Sequence, residues 1–261
     1  MSTVNPYAAP KAAVADEIIN SNADFVPGGQ SRPAGNGWTW IVEGWELFKR
    51  QPGMWIGMII ILLLIFIAAA FIPIIGGLAM TVFGPVFAAG VMRGCKALDS
   101  GEDLELAHLF AGFRSRTGTL IGVGALYLAA TIAVALVVSL VMGVGMMTMM
   151  GGADPQAMSA MGMTFVLAVL IMLALLLPAM MAVWLAAPLV VFHEHGAIDA
   201  MKGSFTGCLK NVVPFLLYGV VLVVLSIIAS LPLGLGWLVL GPVFAASIYA
   251  SYRDIYLKPR P

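Results

Sequence analysis

The chain's strongest candidate for chemistry is His193-Glu194-His195, with Asp199 close behind. Two imidazoles and carboxylates could hold a metal ion. Histidines that share a metal on a helix are spaced three or four apart, so that both rings leave the same face. Here the spacing is two, which suits a strand or a turn. Gly196 supports a turn, and a solvated loop is the preferred reading. A second group of carboxylates, Asp99, Glu102, Asp103 and Glu105, could bind a cation, but it also balances the Arg and Lys residues nearby. Met146, Met147, Met149 and Met150 offer soft thioethers, although flexible apolar filling is their commoner use. The hydroxyls in apolar stretches are Tyr127, Thr131, Ser139, Thr148, Ser226, Ser230, Ser247 and Tyr249. In lipid such groups usually bond the preceding turn or a neighbouring helix. No nucleophile elbow and no phosphate-binding loop is found. The sequence therefore predicts no catalytic residue, no cofactor and no metal, and the expectation is a protein that is not an enzyme.

The elements that must position these residues are apolar. Of 261 residues, 61% are hydrophobic and 10% are charged. A soluble domain carries about 25% charged residues, so the solvent for this chain is lipid. The net charge is zero, which removes the case for nucleic acid as a partner. Uncharged runs extend over 54–72, 78–92, 120–148, 163–192, 212–230 and 237–252, separated by Pro and Gly breaks. Open sheet edges cannot sit in hydrocarbon, and the alternation of a barrel is absent, so the runs are helices. The fold class is an all-α membrane protein with six transmembrane helices as three hairpins. The first run begins near Met54, too late for a cleaved signal peptide.

Orientation follows from the basic residues. Lys49 and Arg50 precede the first run; Arg93, Lys96, Arg114 and Arg116 lie between the second and third. Lys202 and Lys210 lie between the fourth and fifth, and Arg253 and Lys258 follow the sixth. The other loops contain none. Basic flanks stay in the cytoplasm, which places both termini inside. Cys95 and Cys208 then lie at the cytoplasmic boundary, where thiols stay reduced.

Gly84-Pro85-Val86-Phe87-Ala88-Ala89 recurs as Gly241-Pro242-Val243-Phe244-Ala245-Ala246. A looser echo runs from Ala186 to Phe192. Each hairpin is preceded by an amphipathic stretch with aromatics on one side. These stretches predict helices lying in the cytoplasmic interface, with Trp38, Trp40, Trp45, Phe48, Phe110, Phe113 and Phe205 as membrane-interface anchors. The domain expectation is a disordered cytoplasmic tail over 1–37 and a transmembrane domain over 38–261, with repeat units about 38–98, 104–195 and 197–257. Asn5-Pro6-Tyr7-Ala8-Ala9-Pro10 is either plain extended chain or a docking motif for a protein partner. Gly118 and Gly122 have small-xxx-small spacing, used for packing within a bundle or for a homo-oligomer.

On residues 5–10, the Gly37–Phe48 and Gly84–Gly90 segments and Leu109-Phe110-Ala111-Gly112-Phe113, the chain resembles an uncharacterised family of proteobacterial multi-pass inner-membrane proteins. That family has no established activity, so no site residue carries over. A looser likeness is to the helical membrane domain attached to some bacterial glycerophosphodiester phosphodiesterases; it is one of fold only. The functional expectation is an inner-membrane protein that organises or senses the cytoplasmic leaflet or a membrane partner. The alternative is a passive or facilitated transporter of a small or lipidic substrate, which would need a wettable cavity lined by Tyr127, Thr131 or Ser226.

Overall fold

The computed structural model describes residues 24–150 and 155–258. Among these, nine α-helices and one 3-10 helix follow one another: α1 (Asn36–Arg50), α2 (Pro52–Ala70), α3 (Ile75–Asp99), the 3-10 helix (Leu106–Phe113), α4 (Thr117–Met150), α5 (Pro155–Trp184), α6 (Ala186–His193), α7 (Ala197–Lys210), α8 (Val212–Ser230) and α9 (Trp237–Tyr256). Five stretches are long and apolar enough to cross a membrane: Pro52–Ala70, Ile75–Asp99, Thr117–Met147, Met158–His193 and Val212–Ser230. The fold is therefore all-helical and membrane-capable. Helix α9, the sixth run, spans 20 residues but carries Ser251, Tyr252, Arg253 and Asp254 in its last turns, and falls outside that apolar class.

The fourth run is divided near its C-terminal end, and the cause is Pro188. Its ring excludes the carbonyl four residues earlier, and it has no N–H to give. The chain opens at Leu185, with φ −110° and ψ 10°, between α5 and α6. Ser204 on α7 occupies the opening. The Leu185 N–H donates to Ser204 Oγ (2.8 Å), and the Ser204 hydroxyl donates to the Met181 carbonyl (2.6 Å). Leu185 and Met181 are the partners of one broken i→i−4 bond, so the hydroxyl has been inserted into the ladder. Pro178, by contrast, lies inside α5 without dividing it.

The short helices do not sit beside the hairpins that follow them. Helix α1 packs on α9 and α8; the 3-10 helix packs on α3; α7 packs on α5 and α6. Glycine makes two of these contacts close. A Cβ at Gly112 would fall on the Val86 carbonyl oxygen, and one at Gly44 would lie 2.6 Å from that of Val243. Val86 and Val243 occupy the same place in the two Gly-Pro-Val-Phe-Ala-Ala segments. The hairpins themselves differ: α4 and α5 pack along their lengths, whereas α2 with α3, and α8 with α9, touch more sparingly.

The segment expected to be unstructured through Gly37 is ordered from Asp24 onward. Phe25 bridges Leu257 in antiparallel fashion, and the Val26 N–H donates to the Tyr256 carbonyl (2.7 Å). Its polar, Gly- and Pro-containing composition gives no helical period, but its backbone groups find partners at the end of α9. The tail motif at 5–10 lies outside the described residues.

Candidate functional site

Among the described residues, cations and carboxylates from several helices meet around Arg253 and Asp254. Arg253 on α9 joins two other helices. Its Nη1 lies 2.6 Å from Asp99 Oδ1 on α3, and its Nη2 lies 2.8 Å from Glu43 Oε2 on α1. The Tyr249 hydroxyl donates to Asp99 Oδ2 at 3.3 Å. Burial raises the Glu43 carboxyl above its ordinary range, and the Arg253 guanidinium works against that rise.

The next residue, Asp254, holds the N-terminal segment. Its Oδ2 accepts from Asn36 Nδ2 (2.7 Å) and Trp40 Nε1 (2.8 Å), and Arg32 Nε lies 2.9 Å from Oδ1. Consecutive helical residues leave the axis about 100° apart. Arg253 and Asp254 can therefore serve different neighbours. The buried Asn211 completes the strap: the Arg32 N–H donates to its Oδ1 (2.8 Å), and its Nδ2 donates to the Gln30 carbonyl (2.9 Å).

His193 and His195 stay near each other, with ring centroids 6.3 Å apart and both against Phe25, while Glu194 pairs elsewhere. His193 ends α6, stacks on Phe25 with ring centroids 3.9 Å apart, and has Nε2 2.5 Å from the Tyr252 hydroxyl. Glu194 turns left-handed at φ 57° and pairs with Arg116 at 2.7 Å. His195 meets the edge of Phe25. No group of three or more His, Cys, Asp or Glu side chains among the described residues is placed to hold a metal ion. The carboxylates at and after the end of α3 have separate partners. Asp99 is held by Arg253, Asp103 accepts from Gln51 Nε2, and Glu105 forms a reciprocal helix cap with His108. Both thiols are buried, and burial pushes the Cys208 thiol up to about 12, far from a reactive thiolate.

Several hydroxyls within the apolar helices bond backbone or neighbouring side chains. Thr131 donates to the Leu128 carbonyl, and Ser230 donates to that of Ser226. Ser247 on α9 shares a 2.6 Å bond with the Tyr218 hydroxyl on α8. Met146 and Met147 are exposed on the outside of α4, and the side chains of Met149 and Met150 lie outside the described residues. Gly122 faces Ala197 of α7 within the chain, whereas Gly118 faces open space.

The expected anchors divide into two sets. Trp38 (55% exposed), Trp45, Phe110 and Phe113 stand on the outside, and Phe205 is half-buried. Trp40 (0%) and Phe48 (6%) are buried and cannot reach a headgroup. Trp40 is drawn inward by its bond to Asp254 and by packing on Phe215. The amphipathic pattern places Trp38, Trp45 and Phe48 on one face with Ile41, and Trp40 joins the anchors for its residue type. Only the third dimension shows that α8 and α9 cover part of it.

Two adjoining hollows open nearby. A cavity of about 380 Å3 is lined by Arg93, Lys96, Ser100, Glu102, His108 and Phe192, among others. A smaller one of about 150 Å3 shares Lys96, Ser100 and Phe192 and reaches Tyr252 and Arg253. Sequence reasoning did not single out Ser204, Asn211, Tyr218 or Asp254 for these structural tasks. The available signal was weak: Asn211 is a polar residue at the edge of an apolar run, three residues before Pro214.

Over 254 residues the chain is 27% identical to a probable inner membrane protein of Burkholderia thailandensis, a match that covers 87% of this chain and 93% of that one. No protein-family model matches the chain. No solved structure matches it.

Proposed function

We propose that this chain crosses the inner membrane six times, with both termini in the cytoplasm, and serves there as a non-enzymatic bundle that organises or senses the cytoplasmic leaflet. One observation carries this: the amphipathic α1 and 3-10 helix leave the aromatics Trp38, Trp45, Phe110 and Phe113 exposed, and paired basic residues accompany them, Arg253 bound to Glu43 on α1 and Arg116 just after the 3-10 helix. Aromatic and cationic side chains together at one end suit the headgroup layer on the positive side of a membrane. The name of the Burkholderia relative supports the inner membrane as the location.

Six crossings follow once α9 is counted. Its 20 residues rise about 30 Å, the thickness of the hydrocarbon. Its hydroxyls do not argue against this, because α9 faces other helices rather than lipid, and Ser247 and Ser251 are buried and bonded. The packing supports a three-unit repeat. Each short helix rests on the preceding hairpin, and the first rests on the last, so the ring closes. At all three seats a glycine of the short helix meets the residue after a helical proline: Gly44 with Val243, Gly112 with Val86, and Gly203 with Leu189. Such a ring presents three amphipathic helices to one leaflet. The Thr131 hydroxyl is engaged with its own helix, which weighs against the transport alternative.

Two measurements test this. A single cysteine at the exposed Ser100 should react with a membrane-impermeant maleimide only after the cells are opened. Labelling from outside overturns the orientation. Ser204 is unsuitable for such a probe because it is buried. A deletion strain should show an altered phospholipid profile. A strain carrying Trp38→Ala, Trp45→Ala, Phe110→Ala and Phe113→Ala should insert the protein normally yet reproduce that profile. An unchanged lipid profile in the deletion strain overturns the function.

A further inference from the structure

The cations at the basic end are not used alike. Arg253 is paired with Asp99 and Glu43, Arg32 with Asp254, Arg116 with Glu194, and Lys49 with Glu46. Arg93 and Lys96 have a different arrangement. They stand one turn apart on α3 and line the same 380 Å3 cavity, and neither forms an ion pair among the described residues. The Arg93 guanidinium is held by the neutral hydroxyl of Ser115 at 2.7 Å. The Lys96 ammonium lies 5.1 Å from the centre of the Phe192 ring. Both contacts fix a cation in place without neutralising it.

The rest of the lining adds donors. Ser100 brings a hydroxyl. His108 accepts the Glu105 N–H at Nδ1 (3.0 Å), so the proton of its neutral ring is on Nε2 and available to donate. Glu102 is the carboxylate of the lining, against two fixed cations. The volume falls in the range of small-ligand sites, which runs from about 300 to 1,000 Å3. A basic pocket at the mouth of a helical bundle, on the cytoplasmic side, is suited to an anionic headgroup.

We infer that Arg93 and Lys96, with Ser100 and His108, form a binding site for a phosphoryl anion: the phosphate of a phospholipid headgroup or a free phosphate at the membrane surface. The guanidinium supplies directional donors to two oxygens, and the ammonium supplies a point charge. The site rests on the orientation proposed above, since it belongs to the same end as the aromatic anchors. It gives leaflet sensing a chemical handle, because occupancy would report the density of anionic phosphate there.

The test is binding to the purified full-length chain in a neutral detergent, followed by calorimetry. Inorganic phosphate is titrated in one arm. Mixed micelles containing phosphatidylglycerol are titrated in the other, with phosphatidylcholine micelles as the blank. Saturable binding of phosphatidylglycerol alone identifies the lipid as the source, and binding of both identifies phosphate itself. In either case Lys96→Gln should weaken binding about fivefold, and Arg93→Gln with Lys96→Gln about thirtyfold. Arg93→Lys with Lys96→Arg should keep most of the affinity and guards against a folding artefact. Lys49→Gln, at an exposed paired site, should change little. Absence of binding in both arms, equal binding by the double glutamine variant, or an equal loss in Lys49→Gln overturns the site. These outcomes are independent of the maleimide and lipid-profile results, so the site can fail while the orientation and the leaflet role stand.

Discussion

Helices α3 and α9 on one side, and α4 and α5 on the other, have exchanged the roles that a soluble protein would give them. Helix α3 is the least apolar of the five membrane-capable stretches and the most enclosed, with 33% of its window buried. Helix α9 is more polar still, and 11 of its residues are buried. The long helices α4 and α5 are more apolar, and only 6% of each window is buried. In lipid there is no driving force to hide leucine. Apolar side chains face outward, and the hydroxyls, small residues and charged ends form the interior. Enclosure here follows small size and polarity.

The sharpest way to break this comparison is with glycine. On the enclosed side, Gly112→Leu places a side chain on the Val86 backbone, and Gly44→Leu places one against the Val243 carbonyl and the Ser247 amide. Neither backbone can move without parting two helices, so each variant should lose about 3 kcal/mol or more and accumulate poorly in membranes. By contrast, a Cβ added at Gly143 on α4 or at Gly219 on α8 meets nothing within 4 Å, which leaves room for Gly143→Leu and Gly219→Leu. They should accumulate normally and melt within a few degrees of the parent in detergent. Equal loss at all four positions would mean that the enclosed helices are not where the fold is specified.

A middle-sized effect should appear where the two regions join. Ser204→Ala removes the hydroxyl that bonds both Leu185 and Met181, leaving a buried N–H and carbonyl without their partner. The cost should be about 1–3 kcal/mol, read as a lower unfolding temperature in detergent, with faster amide exchange confined to the α5–α6 junction. Ser204→Thr keeps the hydroxyl and should recover part of it. No loss in Ser204→Ala would show that the ladder simply closes and that Pro188 alone sets the break.

Residue by residue, the sequence made some of this legible and hid the rest for physical reasons. The apolar runs were readable because thickness and hydrophobicity constrain length directly, and the matched Gly-Pro-Val-Phe-Ala-Ala segments already marked α3 and α9 as equivalents. Which helix Gly44 or Gly112 would touch was not readable, because each meets a hairpin other than its own. Trp40 and Trp38 look alike in sequence, two residues apart in an amphipathic stretch. Their separation into core and surface depends on Asp254, more than two hundred residues away. The ordering of Gln30 and Arg32 has the same origin, since their partners are Asp254, Leu257 and Asn211. In the candidate site, Arg93 and Lys96 were visible as basic flanks, but their lack of carboxylate partners emerged only once the neighbouring acids were seen to be paired elsewhere.

The smallest expected effect lies at Glu43, on α1 beside Arg253. Burial raises its carboxyl above the unfolded value of 4.5, despite the nearby Arg253, and the carboxylates of Asp254 and Asp99 push the same way. A raised acid is accommodated better protonated than ionised. Its contribution to stability is therefore fully present below about pH 4.5 and is lost as the pH rises through the folded value. Asp99 and Asp254 carry their own pairings with arginine, so the pH profile of the parent alone mixes several groups. The difference between the parent and Glu43→Gln isolates one. In neutral detergent the two should differ little at pH 7, because the ionised carboxylate's bond to Arg253 is offset by its desolvation. On acidification the parent should gain stability relative to Glu43→Gln. A difference that moves the other way, with the parent losing ground as Glu43 is protonated, would mean that the ion pair outweighs burial and that this end of the bundle is wetter than its packing implies.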